Sequence, residues 1–191
     1  GSIIYIADDR AIDPTAQQLY VYNTATDTYT TKQVPGTVGR CTDMIAVGSL
    51  LYGMYRYHIN SVEYYDLRIY NTTNDSWEVK LSPGQRTRVL CHHDGKIYIP
   101  EFDGTKLWIY TITTGVFASV TIPKQQTLYI AYHDGKLYLV PYANSFLIFT
   151  IASSTATTRS TPTSLGADSI LYLGKIYNFN SSRTIIYTRS E

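Results

Sequence analysis

The chain of 191 residues carries 16 basic and 15 acidic side chains, and 44% of it is hydrophobic. That length can bury a sizeable core, and the near-zero net charge argues against a nucleic-acid partner or an anionic membrane surface, both of which call for a basic face. No apolar run approaches the roughly 20 residues that span a bilayer, and the first residues lack the basic-then-apolar pattern of a leader.

From its first residues the chain reads as short strands. Tyrosine is abundant, 19 residues against 5 Phe and 2 Trp, and with threonine it favours half-buried strands. An aliphatic residue followed by tyrosine stands at Ile4-Tyr5, Leu51-Tyr52, Ile97-Tyr98, Leu137-Tyr138 and Ile176-Tyr177, the tyrosines 47, 46, 40 and 39 residues apart. A second signature keeps step with it: LYVYN at 19–23, LRIYN at 67–71, LWIYT at 107–111, LIFT at 147–150 and IIYT at 185–188. Two signatures in phase five times define a tandem array, with repeats near 1–36, 37–83, 84–123, 124–162 and 163–191.

Each full repeat predicts four strands. In the third these are a (RVLCHH, 88–93), b (KIYIP, 96–100), c (KLWIY, 106–110) and d (VFASVTI, 116–122). Asp94-Gly95 and Asp134-Gly135 suit tight a–b hairpins, and the polar runs 23–28 and 71–76 suit c–d turns. Strands b and c are apolar at nearly every position, which predicts a sheet covered on both faces. No stretch has a helical period. Four-stranded antiparallel sheets repeated every 40–47 residues predict an all-β fold, a β-propeller of about five blades forming one domain over 1–191. The first blade begins at strand b, with Gly1-Ser2 in the turn before it, and the last stops at strand c. Both are therefore incomplete. A ring of five is preferred over part of a longer propeller, whose faces would be bare; in either case further strands from the same or another chain could complete the end blades.

The segment LRIYNTTNDSWEV resembles the strand c–strand d signature of the kelch family, an aromatic, a polar turn and a Trp. LYVYNTATDTYT and LWIYTITTGVF repeat it with Tyr29 and Phe117 in the Trp position, and Arg40 and Arg86 align at the start of strand a. The paired glycines that follow strand b in kelch repeats are replaced by Ala7-Asp8, Tyr55-Arg56, Pro100-Glu101 and Pro141-Tyr142, and the fourth repeat lacks an aromatic in strand d. The resemblance implies that the d–a loops (35–40, 82–88, 123–127, 161–168) and the b–c loops (8–18, 56–66, 101–106, 141–145, 178–183) share one end of the molecule. It also implies that arginines there, Arg40 and Arg86, hold acidic peptides.

Long loops on a rigid scaffold are the usual place for recognition, and arginine and tyrosine anchor interfaces. Arg10, Arg40, Arg56, Tyr57, His58, Arg86, Arg88, Tyr142 and Asn144 are the resulting candidates for ligand binding. Arg40 and Arg86 could equally pair with Asp43, Glu101 or a loop carbonyl and fix neighbouring blades. His92, His93 and His133 lie beside the a–b turn, where packing is expected. Asp8, Asp9 and Asp13 fit no known cation loop, and no phosphate loop, nucleophile motif or metal spacing is found, so the sequence implies no catalytic residue, metal or cofactor. Cys41 and Cys91 read as buried thiols in strands. The Asn-x-Ser/Thr sites at Asn71, Asn74 and Asn180 fall mostly in turns that favour such residues anyway. The expected function is a non-enzymatic scaffold for a protein or peptide partner. The alternatives are a carbohydrate-binding propeller, which needs exposed Tyr57, Tyr64, Tyr65 and Tyr142, and part of a larger kelch-like oxidase or epimerase.

Overall fold

Asp94 and Gly95 (φ 47° and 66°) and Asp134 and Gly135 (45° and 72°) lie in the left-handed region, the twist that a two-residue hairpin requires. They sit in a computed structural model of the chain that describes residues 2–7, 18–36, 39–81, 86–141, 145–160, 169–172, 175–180 and 183–186, the last three segments by backbone alone. Among these residues there is no helix. Strands β1 (Ile3–Ala7), β2 (Gln18–Asn23) and β3 (Thr28–Gln33) form the first sheet, and β4 (Arg40–Val47), β5 (Leu50–Ile59), β6 (Val62–Asn71) and β7 (Ser76–Leu81) form the second. The third holds β8 (Cys91–His93), β9 (Lys96–Pro100), β10 (Gly104–Thr111) and β11 (Val116–Gln125). The fourth holds β12 (Thr127–His133), β13 (Lys136–Pro141), β14 (Ser145–Thr150) and β15 (Thr155–Ser160), and the fifth β16 (Ser169–Tyr172), β17 (Lys175–Asn180) and β18 (Arg183–Ile186). All five are antiparallel meanders, three of four strands and two of three.

The register is shared. The signature tyrosines Tyr5, Tyr52, Tyr98 and Tyr138 stand opposite Val21, Ile69, Ile109 and Ile148. One backbone bond recurs at the turn end of the first four sheets: the N–H of Thr24, Thr72, Ile112 and Ile151 donates to the carbonyl of Ser2, Ser49, Gly95 and Gly135 at 3.0, 2.9, 2.9 and 3.0 Å. The c–d turns explain their own sequences. Asn23 and Asn71 accept from the amides of Ala25 and Thr73. Asp27 and Asp75 take the left-handed position (φ 53° and 57°) and accept the hydroxyls of Tyr22 and Tyr70, each at 2.8 Å.

The chain divides into two compact units, Gly1–Pro83 and Gly84–Glu191, parted between the second and third repeats. In the first, Leu19, Leu51 and Tyr70 are buried with Tyr5, Ala7, Met44 and Trp77 packed on them. Lys32 pairs with Asp75 across the two sheets. In the second unit, Cys91, Tyr98, Leu107, Ile122, Leu137, Leu139 and Phe149 belong to one core, with β8 beside β12 and β11 beside β15. His93 stacks on Tyr132 (3.5 Å between centroids, 11° between planes), a packing role. Cys41 and Cys91 are buried and in no disulfide.

Three expectations need correction. Residues 56–66 are not a loop: β5 and β6 each run ten residues and meet at Asn60-Ser61, both with positive φ (49° and 65°). Residues 123–127 are largely strand, since β11 ends at Gln125 and β12 begins at Thr127. Strands b and c are covered on both faces in the second, third and fourth sheets, but β1 exposes Ile4 and Ile6, because among the described residues nothing packs on the outer face of the first sheet.

Candidate functional site

In the second sheet the end opposite the β4–β5 turn is built out into a ribbon. Beyond Tyr55 and Asp66 the β5–β6 hairpin continues through the pairs Arg56–Tyr65, Tyr57–Tyr64, His58–Glu63 and Ile59–Val62. Alternation puts Tyr57, Ile59, Val62 and Tyr64 on one face. Tyr57 and Tyr64 stack (5.6 Å, 17°), yet only the outer members are exposed: Ile59 45%, Val62 52% and Tyr64 42%, against 8% for Tyr57. On the other face Arg56 pairs with Glu63, with His58 Nε2 at 3.8 Å from the same carboxylate oxygen. The ribbon thus neutralises its own charge and offers an apolar tip.

Its base rests on a buried ion pair. Arg68 is 3% exposed. Its guanidinium donates to Asp66 Oδ2 (3.3 Å) and to the Pro35 carbonyl of the d–a loop, and lies over the rings of Tyr55 (5.5 Å) and Tyr57 (5.9 Å). Gly39 closes the base, since a Cβ there would overlap the Arg56 carbonyl oxygen. Burial pushes the Tyr57 hydroxyl up to about 12, helped by the nearby Asp66 carboxylate. Burial likewise pushes the Cys41 thiol up to about 12 and raises Tyr55, which shares a hydrogen bond with it. Burial lowers Arg68 while Asp66 opposes the shift. Both tyrosines and the thiol are therefore neutral at physiological pH, a state suited to holding a shape and not to attacking a substrate.

The third sheet has a different cluster. The Phe102 N–H donates to the Arg86 carbonyl (2.5 Å), joining the d–a and b–c connections. Arg86 and Arg88 lie over the Phe102 ring at 5.5 and 3.9 Å. Glu101 is not their partner in any described contact: it accepts from the amides of Thr105 and Lys106 (3.1 and 3.2 Å) and from Trp108 Nε1 (3.1 Å). The carboxylate shapes its own loop.

Of the residues expected to bind, Arg56, Tyr57 and His58 stand together on β5, with Arg40 opposite Arg56 on β4. Arg86 and Arg88 share Phe102 in the other unit. Tyr57 is buried, which removes it from direct contact with a partner. Arg40 is exposed and makes no ion pair, with Asp43 or otherwise, among the described residues. Arg10, Tyr142, Asn144, Asp8, Asp9 and Asp13 lie outside the described residues. Arg68, Asp66 and Phe102 were not expected at the site; Tyr64 was expected there only for carbohydrate binding, and Glu101 only as a partner for Arg40 or Arg86. The alternation from Tyr55 to Tyr65 around Asn60-Ser61, without Gly or Pro, was the available signal for the ribbon. Among the described residues no group of three His, Cys, Asp or Glu side chains could hold a metal ion.

No protein-family model and no curated protein matches the chain. It is similar to a solved structure, the crystal structure of the computationally designed Ika8 protein, at 10% identity and a TM-score of 0.71 over 96% of this chain and 54% of that one. The chain spans about half the length of that protein, and at this identity the likeness is one of fold alone. The protein is all-β, built of repeated antiparallel sheets.

Proposed function

We propose that the chain is a section of a kelch-like β-propeller and acts as a non-enzymatic scaffold, holding a protein or peptide partner where the b–c hairpins meet the d–a loops. The observation that carries this reading is the β5–β6 ribbon, whose apolar tip is exposed while its base is locked by Arg68. A rigid, aromatic-bearing projection suits recognition, because little conformational freedom is lost on binding. The propeller reading is supported by five like meanders in one register, by face-to-face packing within each unit and by the fold similarity. The kelch likeness is supported by ring pairs joining strands c and d: Tyr22–Tyr29 (4.6 Å), Tyr70–Trp77 (4.9 Å) and Tyr110–Phe117 (5.0 Å). Arg40, opposite Arg56 on the neighbouring strand of the ribbon's own sheet, favours a partner with a carboxylate near its apolar anchor, and Arg86 and Arg88 are cations of the same kind in the other unit. The carbohydrate alternative is weakened by the burial of Tyr57 and Tyr65, which leaves Tyr64 as its one exposed ring among the described three.

The test is selection of a displayed peptide library on the folded chain. Selected peptides are then titrated against wild type, Ile59→Ser/Val62→Ser/Tyr64→Ser and Arg86→Ala/Arg88→Ala. At least about tenfold weaker binding, some 1.4 kcal/mol, is expected for one or both variants. Equal affinity for all three proteins would overturn the assignment.

A further inference from the structure

Three polar atoms in the second unit are shut off from solvent without a hydrogen-bond partner: Arg88 Nε, the Gln125 amide nitrogen and Thr127 Oγ1. Such orphans are rare in folded proteins, and each calls for a water, an ion or a ligand group. Thr127 is 1% exposed, and Arg88 and Gln125 are half-buried. The three stand at one level of the fold. β8 lies beside β12, with His93 stacked on Tyr132, and five residues back along the chain from these two rings come Arg88 and Thr127. Gln125 precedes Thr127 by two places, with the exposed Gln126 between them, so both turn towards the protein. Gln125 is also opposite Gly104, in the same b–c connection as Phe102, over whose ring the Arg88 guanidinium lies at 3.9 Å.

We propose that Arg88, Gln125 and Thr127 form an oxyanion site that takes one carboxylate group. All three can donate a hydrogen bond, and one of them is a cation. No described acid answers the charge of Arg88: Glu101 accepts from Thr105, Lys106 and Trp108 of its own loop, and Asp103 lies 3.7 Å from Lys124. A half-buried guanidinium without a counter-ion is unfavourable. A carboxylate supplies the charge and two accepting oxygens, the match that a guanidinium favours. Gln125 and Thr127 add donors without adding charge, so a monoanion suits the set better than a phosphate dianion. Opposite Thr127 stands Pro141, which has no N–H to offer the hydroxyl. The site gives Arg88 a stated ligand group and does not rest on the scaffold reading, since a free acid or a partner's acidic side chain would fill the same donors.

The test is NMR of the isotope-labelled full chain, reading the Arg88 side-chain Nε–H signal, which is identified by its loss in Arg88→Lys. Sodium acetate is titrated in at an ionic strength held constant with sodium chloride. The expected result is a saturating shift with a dissociation constant of about 1–10 mM, within reach of so small a ligand. Thr127→Val and Gln125→Leu should each weaken it at least about threefold. Without acetate, Thr127→Val should leave the urea midpoint unchanged or raised, because the hydroxyl it removes has no partner to lose. A lowered midpoint would show that hydroxyl to be satisfied already and overturns the proposal. A signal that does not move, or drifts without saturating, leaves water as the occupant and overturns it too. Inorganic phosphate binding more tightly than acetate overturns the choice of a carboxylate. N-acetyl-aspartate amide separates the two sources: binding at least as tight as that of acetate supports the site with a partner's side chain as its ligand, and weaker binding supports it with a free acid. Neither outcome bears on the ribbon.

Discussion

Removing Asp66 should damage the first unit more than removing Asp66 and Arg68 together. Both side chains are nearly enclosed (5% and 3% exposed at the side chain) and 3.3 Å apart. Asp66→Ala takes the carboxylate away from a guanidinium held in that interior, where the Pro35 carbonyl is one of its acceptors. Breaking a buried pair on one side costs about 3–5 kcal/mol, whereas replacing both charges with apolar groups is often neutral. The position tolerates an apolar residue, since the equivalent place in the fourth sheet is Leu147, fully buried. Asp66→Ala should therefore cost ~3–5 kcal/mol, a fall of roughly 6–20 °C in Tm for a chain of this size. Asp66→Ala/Arg68→Leu should recover at least half of that. Urea unfolding followed by Trp77, which meets the Tyr55 ring edge-on at 6.4 Å, reads the first unit if Trp108 is first changed to Phe. A loss below about 1 kcal/mol for the single variant, or a double variant no better than the single one, would refute the reasoning.

The Lys32 ammonium, and after it the Tyr70 hydroxyl, hold the Asp75 carboxyl below its ordinary value. A depressed folded-state value contributes stability that is complete above the usual carboxylate range near ~4 and is lost as pH falls through the folded value. The urea midpoints of wild type and Asp75→Asn should thus differ at pH 6 and converge in acid below pH ~4; a constant gap would contradict the linkage. Cys41, buried and pushed up to about 12, should resist DTNB at pH 8 in the folded chain and react on unfolding, whereas prompt labelling of the native protein would show the site to be open. Gly39→Ala should shift the Arg56 carbonyl and cost about 1–3 kcal/mol as overpacking does, read by urea unfolding; an unchanged midpoint would mean the base of the ribbon is looser than described.

The sequence made the array legible because the two signatures lie on strands b and c, whose apolar runs repeat with the sheets. The hairpin turns were legible because Asp94-Gly95 and Asp134-Gly135 need a left-handed backbone, which those residue types supply at low cost. The ribbon was not, because Asn60-Ser61 is a weaker turn pair than Asn-Gly, and Arg56, His58 and Glu63 look like solvated loop residues until their pairing is known. Arg68 and Asp66 were hidden for a different reason. Charged residues two places apart on a strand read as a wet face, and it is the Pro35 loop, thirty-three residues before Arg68, that closes over them. Arg40 and Arg86 aligned in sequence yet have different surroundings, since the residue facing Arg40 is Arg56 whereas the one joined to Arg86 is Phe102.

The bond that fastens the turn end of the first four sheets joins main-chain atoms alone. Its donors are Thr24, Thr72, Ile112 and Ile151, and its acceptors Ser2, Ser49, Gly95 and Gly135. Side-chain identity at the donor sites can therefore change without loosening the joint, whereas Gly95 and Gly135 are held to glycine by their left-handed backbone. Threonine adds a second contact through its hydroxyl in the first two repeats, and isoleucine dispenses with it in the next two. Divergence in such an array erodes the lettering long before the geometry, so its ancestry is carried by spacing and not by side-chain identity.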